Sequence, residues 1–416
     1  MTDLTGTETP PVLPALTRQK PFVLFWFARL TVTLGYHMLV VAIGWTVYDV
    51  TGSALQLGLV GLIQFVPAVV LTLLVGHVAD RYDRRHIVRL AQGIYALAAL
   101  IVLAVLMNTA KSVNLLFVAV FMLGCARAFE LPAGSSLVPS LVPQSLVSRA
   151  VAAWASANQT AVICGPAAGG LIYAFSPPLV CAISLFFFAC AMIFVTLIKA
   201  GGPPAGREPP TLSSVLAGFK FVRTRERLLG VITLDLIVIL LGSVTALLPI
   251  YARDILDAGP QGLGLLRSAP AIGALATTIA LSRWPIERRI GLVMFGVTAL
   301  FGFATMVFAL STSLALSMAA LAVLGASDAI SVVIRFSLVQ IETPDAMRGR
   351  VSAINYLFVG TSNTLGEFES GALAALIGAV PAAFLGGAGS LIVAAIWMML
   401  FPTLRKIDRF EPADRK

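Results

Sequence analysis

Five carboxylates, Glu130, Asp235, Asp328, Glu367 and Glu369, and four guanidinium groups, Arg29, Arg127, Arg267 and Arg335, lie inside long apolar stretches of this 416-residue chain. A charge in such a setting costs about 2.5–3.5 kcal/mol on insertion scales, so each one needs a partner or a task. Two kinds of chemistry are open to them. A carboxylate facing an arginine forms a satisfied inter-helix ion pair, whereas one whose surroundings change can take up a proton and release it again. The near balance of signs predicts several pairs. Asp235 and Glu367 rank first as proton-coupling candidates, ahead of Glu130, Asp328 and Glu369. Asp235 sits within VITLDLIVILL, and depth along the helices makes Arg335 its nearest basic partner. Asp328 and Arg335 are seven residues apart and share a helix face, while Glu367 and Glu369 point about 200° apart, so at most one faces a common pathway squarely.

Other chemistries lack their residues. The three histidines, His37, His77 and His86, form no ligand cluster, and no G-x-x-x-x-G-K-[ST], H-E-x-x-H or G-x-S-x-G pattern occurs. Cys125, Cys164, Cys181 and Cys190 show neither CxxC pairing nor metal-ligand spacing and read as small packing residues. The expectation is a protein that is not an enzyme and carries no metal or cofactor.

The elements that position these charges follow from composition. With 58% hydrophobic and only 12% charged residues, the chain belongs in a lipid bilayer. Apolar stretches of spanning length occur at roughly 22–47, 55–79, 86–107, 112–130, 151–175, 179–199, 228–251, 261–283, 290–310, 313–338, 350–377 and 381–401. Period-2 alternation is lacking, which sets a barrel aside, and a helix satisfies its own backbone within one segment. An all-α polytopic membrane protein of twelve transmembrane helices is expected. With both termini inside, 23 of the 29 Lys and Arg fall on the cytoplasmic side, two (Lys111 and Arg253) outside and four within spans. That bias sets the orientation and makes the net charge of +9 topological, with no nucleic-acid partner.

The chain divides into a cytoplasmic tail (1–21), a six-helix bundle (22–199), a cytoplasmic linker (200–227), a second six-helix bundle (228–401) and a cytoplasmic tail (402–416). The linker opens Pro- and Gly-rich, and Leu212 to Val222 reads as an amphipathic helix on the inner membrane surface. Six helices on either side suggest an internal duplication about a midplane site, with DRYDRR after the second span matched by SRWPIERR after the eighth. Polar candidates for a substrate cavity are Tyr36, Gln64, Asn158, Asn355, Tyr356 and Asn363.

The segment GHVADRYDRR resembles the loop-2/3 signature of the major facilitator superfamily at Gly76, Asp80, Arg81, Arg84 and Arg85, with Asp83 where that pattern usually has glycine. GWTVYDVTGSALQLGLVGLIQFVP, GPAAGGLIY and TPDAMRGRVSAINYLFVGTSNTLGEFESG are similar to the branch that includes the enterobactin exporter and its bacterial relatives. The resemblance implies two six-helix bundles in the bacterial inner membrane and secondary transport. It also implies a conformational latch, in which Asp80 meets the positive end of the eleventh helix. Thr343 and Pro344 read as that helix's cap and first-turn proline, with Arg348 and Arg350 as partners for Asp80 or Asp83. The fourth-span signature of proton-coupled drug antiporters is met at Arg127 only, Glu130 standing nearby.

The function expected is a proton-coupled exporter of a small amphipathic molecule, drug-like or siderophore-like, working by alternating access as a monomer. The alternative is a lipid-handling or signalling membrane protein that keeps the fold without pumping.

Overall fold

The computed structural model describes residues 16–108, 112–198 and 219–410. Twelve long helices cross these residues: α1 Lys20–Thr51, α2 Ala54–Arg81, α3 Arg84–Met107, α4 Val113–Leu137, α5 Val147–Phe175, α6 Pro177–Thr196, α7 Glu226–Gly242, α8 Gly259–Arg283, α9 Ile290–Leu310, α10 Leu314–Glu342, α11 Asp345–Ile377 and α12 Ala379–Leu400. No strand occurs among the described residues. Local signals set several boundaries. Gly52, at φ 59°, ends α1 in the left-handed conformation that favours glycine, and a proline pair opens α6. Asp83 caps α3 by accepting a hydrogen bond from the Arg85 amide at 2.9 Å.

Ten described segments are long and apolar enough by composition to cross a membrane. The two helices outside that set are α5 and α11, which the sequence reading counts as apolar spans. Their sequences are diluted by Ser, Asn, Thr and Gly, because both occupy positions between bundles where small and polar residues let helices approach. The linker helix expected from Leu212 lies outside the described residues up to 218. From Phe219 to Thr224 the chain is helical.

Helices α1–α6 pack with one another, as do α7–α12, and the two bundles meet through α5 against α8 and α2 against α11. Both crossings are drawn tight at the end of the molecule that carries the α1–α2 turn. There, a Cβ on Gly264 of α8 would stand 3.1 Å from the Gly170 Cα of α5, and one on Gly58 of α2 would stand 3.2 Å from the Gly371 Cα of α11. Backbone meets backbone at each, which only glycine permits. The Ser268 hydroxyl donates across the α5–α8 seam to Ile163 O at 2.7 Å.

Apolar packing follows the same division. The larger buried cluster unites the first bundle with the α1–α2 end of the second, through Val244, Leu247, Leu263, Phe308 and Leu321. The opposite end of the second bundle has its own cluster, which includes Leu228, Leu234, Met294 and Leu338. Large apolar side chains such as Leu90 (70% exposed) and Phe175 (86%) cover the outer faces, where the twelve helices present them to lipid.

Helix α7 is interrupted where the sequence suggests one continuous span to Tyr251. It stops at Gly242; Ser243 and Val244 leave the helix, a 3-10 turn follows over Thr245–Leu247, and the chain continues through Leu248–Ile250 into a π-turn at Tyr251–Ile255. Pro249, which lacks an N–H, cannot complete a regular α-ladder through this stretch.

Candidate functional site

Burial of charge within the first bundle is resolved by pairing. Arg29 of α1 donates to both carboxylate oxygens of Glu130 on α4, at 2.8 and 3.0 Å, and its other terminal nitrogen donates to Asn158 Oδ1 of α5 at 2.6 Å. The Trp154 ring lies 4.7 Å from the guanidinium. One arginine thereby ties three helices, with Asn158, a substrate-cavity candidate of the sequence, as its acceptor on α5.

The second bundle repeats the device. Asp235 of α7 is ion-paired with Arg335 of α10, the partner that depth along the helices points to, and Arg335 is only 2% exposed. Seven-residue spacing does not pair Arg335 with Asp328, because α7 supplies a carboxylate on the other side of the guanidinium. At the end of α10, Glu342 accepts from Arg227 at 2.8 Å.

Between these pairs and the sealed end lies a group contributed by both bundles. Gln64 of α2 donates to the Tyr36 hydroxyl of α1, Arg127 of α4 lies over the Tyr36 ring at 4.7 Å, and Tyr95 of α3 meets that ring edge-on. From the other bundle, Arg267 of α8 reaches Gly44 of α1, and Glu367 of α11 rests on Gly61 of α2, where a Cβ would stand 2.9 Å from its Oε2. Arg267 and Arg127 are both close enough to act electrostatically on Glu367. Glu369 turns to another face of α11 and is partly buried there.

A cavity of about 300 Å³ opens beside this group. Its wall includes the whole interruption of α7, Gly242 to Thr245, together with Asp328 of α10, Asn363 of α11, Gln159 of α5 and Phe301 of α9. Asp328 also borders a smaller recess that reaches the Asp235 side chain. Asn363 is exposed to the space, but Asn355, eight residues earlier and turned to another face, is 1% exposed and stands outside the cavity wall. Sequence reasoning missed Gln159, Ser243 and Thr245. The signal available was Gly242-Ser243 followed by Pro249 inside an apolar run.

The bundles are also strapped together at the sealed end. The Tyr48 hydroxyl of α1 donates to Asp254 Oδ2 in the π-turn after α7, and Arg253 stands 3.5 Å from Asp49 while donating to Tyr48 O at 3.3 Å.

The loop-2/3 signature serves the first bundle in the described residues. Asp83 accepts from Arg85, whose other donor reaches Ile198 O at the end of α6 at 3.0 Å, and Arg84 donates to Ser136 O of α4 at 2.9 Å. The hydrogen bond from Arg85 holds the Asp83 carboxyl below its ordinary value. Asp83 is thus engaged with its own helix, and Arg350 is exposed with a 3.6 Å contact to Met347 Sδ. Gly76, Asp80, Arg81, Arg348 and Tyr356 lie outside the described residues apart from their helical backbone. The residue that opens α11 is Pro344, in the extended conformation, and Thr343 ends α10 with its hydroxyl buried, so the cap lies one residue later than expected.

Comparison with known proteins bears on this geometry. The profile of a family described as transmembrane secretion effector matches residues 13–415. The enterobactin exporter EntS of Citrobacter koseri is 27% identical over 410 residues, 96% of each chain. A solved bacterial homolog of the human lysosomal transporter Spinster, inward-facing and unoccupied, superposes with a TM-score of 0.75 at 13% identity, over 96% of this chain and 100% of that one. A bacterial homologue of the iron transporter ferroportin, in an inward-facing state, gives 0.71 at 16% identity, over 95% and 100%. At such identities the solved structures speak to the fold alone.

Proposed function

Since the chain belongs to the transmembrane secretion effector family of the major facilitator superfamily, we propose that it is a secondary active exporter of a small amphipathic molecule, working by alternating access and driven by protons. The observation that carries this reading is a family match over nearly the whole chain, joined to a cavity at the junction of two bundles that are sealed at one end. Both termini and the 200–227 linker are assigned to the cytoplasm, as the distribution of Lys and Arg favours. The sealed end is then periplasmic, and a single chain contains one complete pathway.

Glu367 is the carboxylate best suited to coupling. It stands on one bundle and rests against Gly61 of the other, with Arg267 and Arg127 acting on it, so rocking of the bundles alters its surroundings. Asp235, by contrast, is paired within its own bundle, where rocking leaves its partner in place. Enterobactin enters as a test compound because the similar EntS proteins export it.

Proteoliposomes holding the full chain and a trapped pH dye test the reading. Enterobactin or benzyltrimethylammonium should move against its gradient only when a proton gradient is imposed, with counterflow of protons, and Glu367→Gln should remove the coupling while sparing downhill exchange. Equal flux with and without the proton gradient would overturn the proton-driven reading and favour a facilitator or a non-pumping role.

A further inference from the structure

The cavity beside the interruption of α7 has the electrostatics of a cation site. Its one carboxylate, Asp328, makes no ion pair or hydrogen bond among the described residues, and no neighbouring charge acts on it. The nearest charged neighbours across the smaller recess, Asp235 and Arg335, neutralise each other, which leaves the space with a local sum of one negative charge. A bare carboxylate in such surroundings lacks the counter-ion that buried charges require.

Helix α7 stops at Gly242 on the cavity wall, but its last carbonyls are turned to its own bundle: a Cβ on Gly366 of α11 would stand 2.9 Å from the Ile239 and Leu240 oxygens, and one on Gly386 of α12 would meet the Leu241 oxygen. The segment that resumes beyond the break gives little positive field to offset Asp328. It starts as a three-residue 3-10 turn, and its Leu247 amide is already bonded to Val244 O at 2.9 Å.

Size and lining exclude a bare metal ion as the natural occupant. About 300 Å³ is the low end of small-molecule sites. The walls are mostly apolar, with Val162, Leu248, Leu321, Leu324 and Phe301, the last an aromatic ring of the kind that attracts cations. Ser243, Thr245 and Asn363 add polar contacts too few and too spread to replace an ion's water shell.

We propose that this cavity is the binding site for a monovalent organic cation with an apolar body, an alkyl- or arylammonium, with Asp328 as its counter-ion. The inference rests on the transporter reading and narrows its substrate from amphipathic molecules at large to cations, away from anionic chelators.

Equilibrium binding to the purified full chain in lipid nanodiscs, with no gradient present, tests it. The probes are benzyltrimethylammonium, its neutral isostere neopentylbenzene and the anion phenylacetate. Wild type should bind the cation at least tenfold more tightly than the other two. Asp328→Asn should erase that preference without changing affinity for the neutral probe, and Asp328→Glu should keep it. Leu324→Trp, which fills the cavity and leaves the charge alone, should weaken the cation and the neutral probe alike; unfolding midpoints of all variants identify any that fail to fold. Absence of cation binding in wild type, preference for phenylacetate, or an unchanged preference in folded Asp328→Asn overturns the site. Because no flux is measured, the site can fail while transport stands, or stand while proton-driven transport fails.

Discussion

Arg29 and Asp235 occupy the same place in their respective bundles, nine residues after the first residue of α1 and of α7, and they carry opposite charges. Each is paired with the fourth helix of its own bundle, Arg29 with Glu130 and Asp235 with Arg335. A buried ion pair thus joins the first and fourth helices of each bundle, with its signs exchanged between the two. Such a pair anchors geometry more than it adds net stability, since desolvation offsets most of the attraction, but removing one member strands the other.

Arg29→Ala, Glu130→Ala, Asp235→Ala and Arg335→Ala should therefore each cost about 3–5 kcal/mol of stability. The exchanged doubles, Arg29→Glu with Glu130→Arg and Asp235→Arg with Arg335→Asp, should recover most of that loss. Double-mutant cycles on unfolding in detergent read both effects. Single variants as stable as wild type would refute the anchoring role.

The glycine crossings set which end is shut. Gly264→Ala and Gly58→Ala place a methyl group against backbone that cannot yield, so the α1–α2 end should part in a larger share of molecules. A shift of about tenfold in the open-to-closed ratio corresponds to ~1.4 kcal/mol, well within the reach of such a clash. Distances between spin labels at Ser53 and Asp257 should lengthen in both variants. Gly93→Ala, where a Cβ meets open space, should leave them unchanged.

The Tyr48 hydroxyl holds a carboxylate across the bundle boundary, a class of bond worth about 1.5–3 kcal/mol. Tyr48→Phe and Asp254→Asn should each raise amide exchange over residues 248–256 without touching the α5–α8 seam. Unchanged exchange there would mean the strap carries no load.

Asp83 gives a pH signature at the other end. Its folded value lies below the ordinary carboxylate value, so its stabilisation is fully present at neutral pH and is lost as pH falls below about 4, through the folded value. Unfolding midpoints measured from pH 7 to pH 3 should fall less steeply in Asp83→Asn than in wild type. Parallel profiles would show that the cap contributes nothing to acid sensitivity.

How much of this was legible in the sequence depends on which force decides. Long apolar runs dictate helices because a bilayer leaves the backbone no other partner, so the spans could be read directly, except that α5 and α11 trade apolarity for close packing against the other bundle. The partner of Asp235 could be read from depth alone. Tertiary choices could not: Asp328 and Arg335 share a face, yet a carboxylate from α7 took the arginine and left Asp328 alone. The interruption at Ser243 was hidden because Gly and Ser are common inside membrane helices, and Pro249, six residues on, marks no boundary at Ser243 by itself. Asn355 and Asn363 read alike as sequence, but the rotation of α11 sends one into packing and the other into the cavity.

The interruption in α7 divides more than a helix. Leu228, Val231, Ile232, Leu234 and Val238 before it belong to the second bundle's own cluster, whereas Val244, Leu247, Leu248, Ile250 and Tyr251 after it belong to the cluster shared with the first bundle. If the bundles rock, α7 acts as a jointed lever, with one arm fixed in the second bundle, the other in the cluster that both bundles share, and its pivot at Ser243. Displacement is smallest at a pivot, so cargo held beside it would be carried hardly at all. The walls would swing past it, and the stroke of the machine would be felt as a change of surroundings at a nearly stationary point.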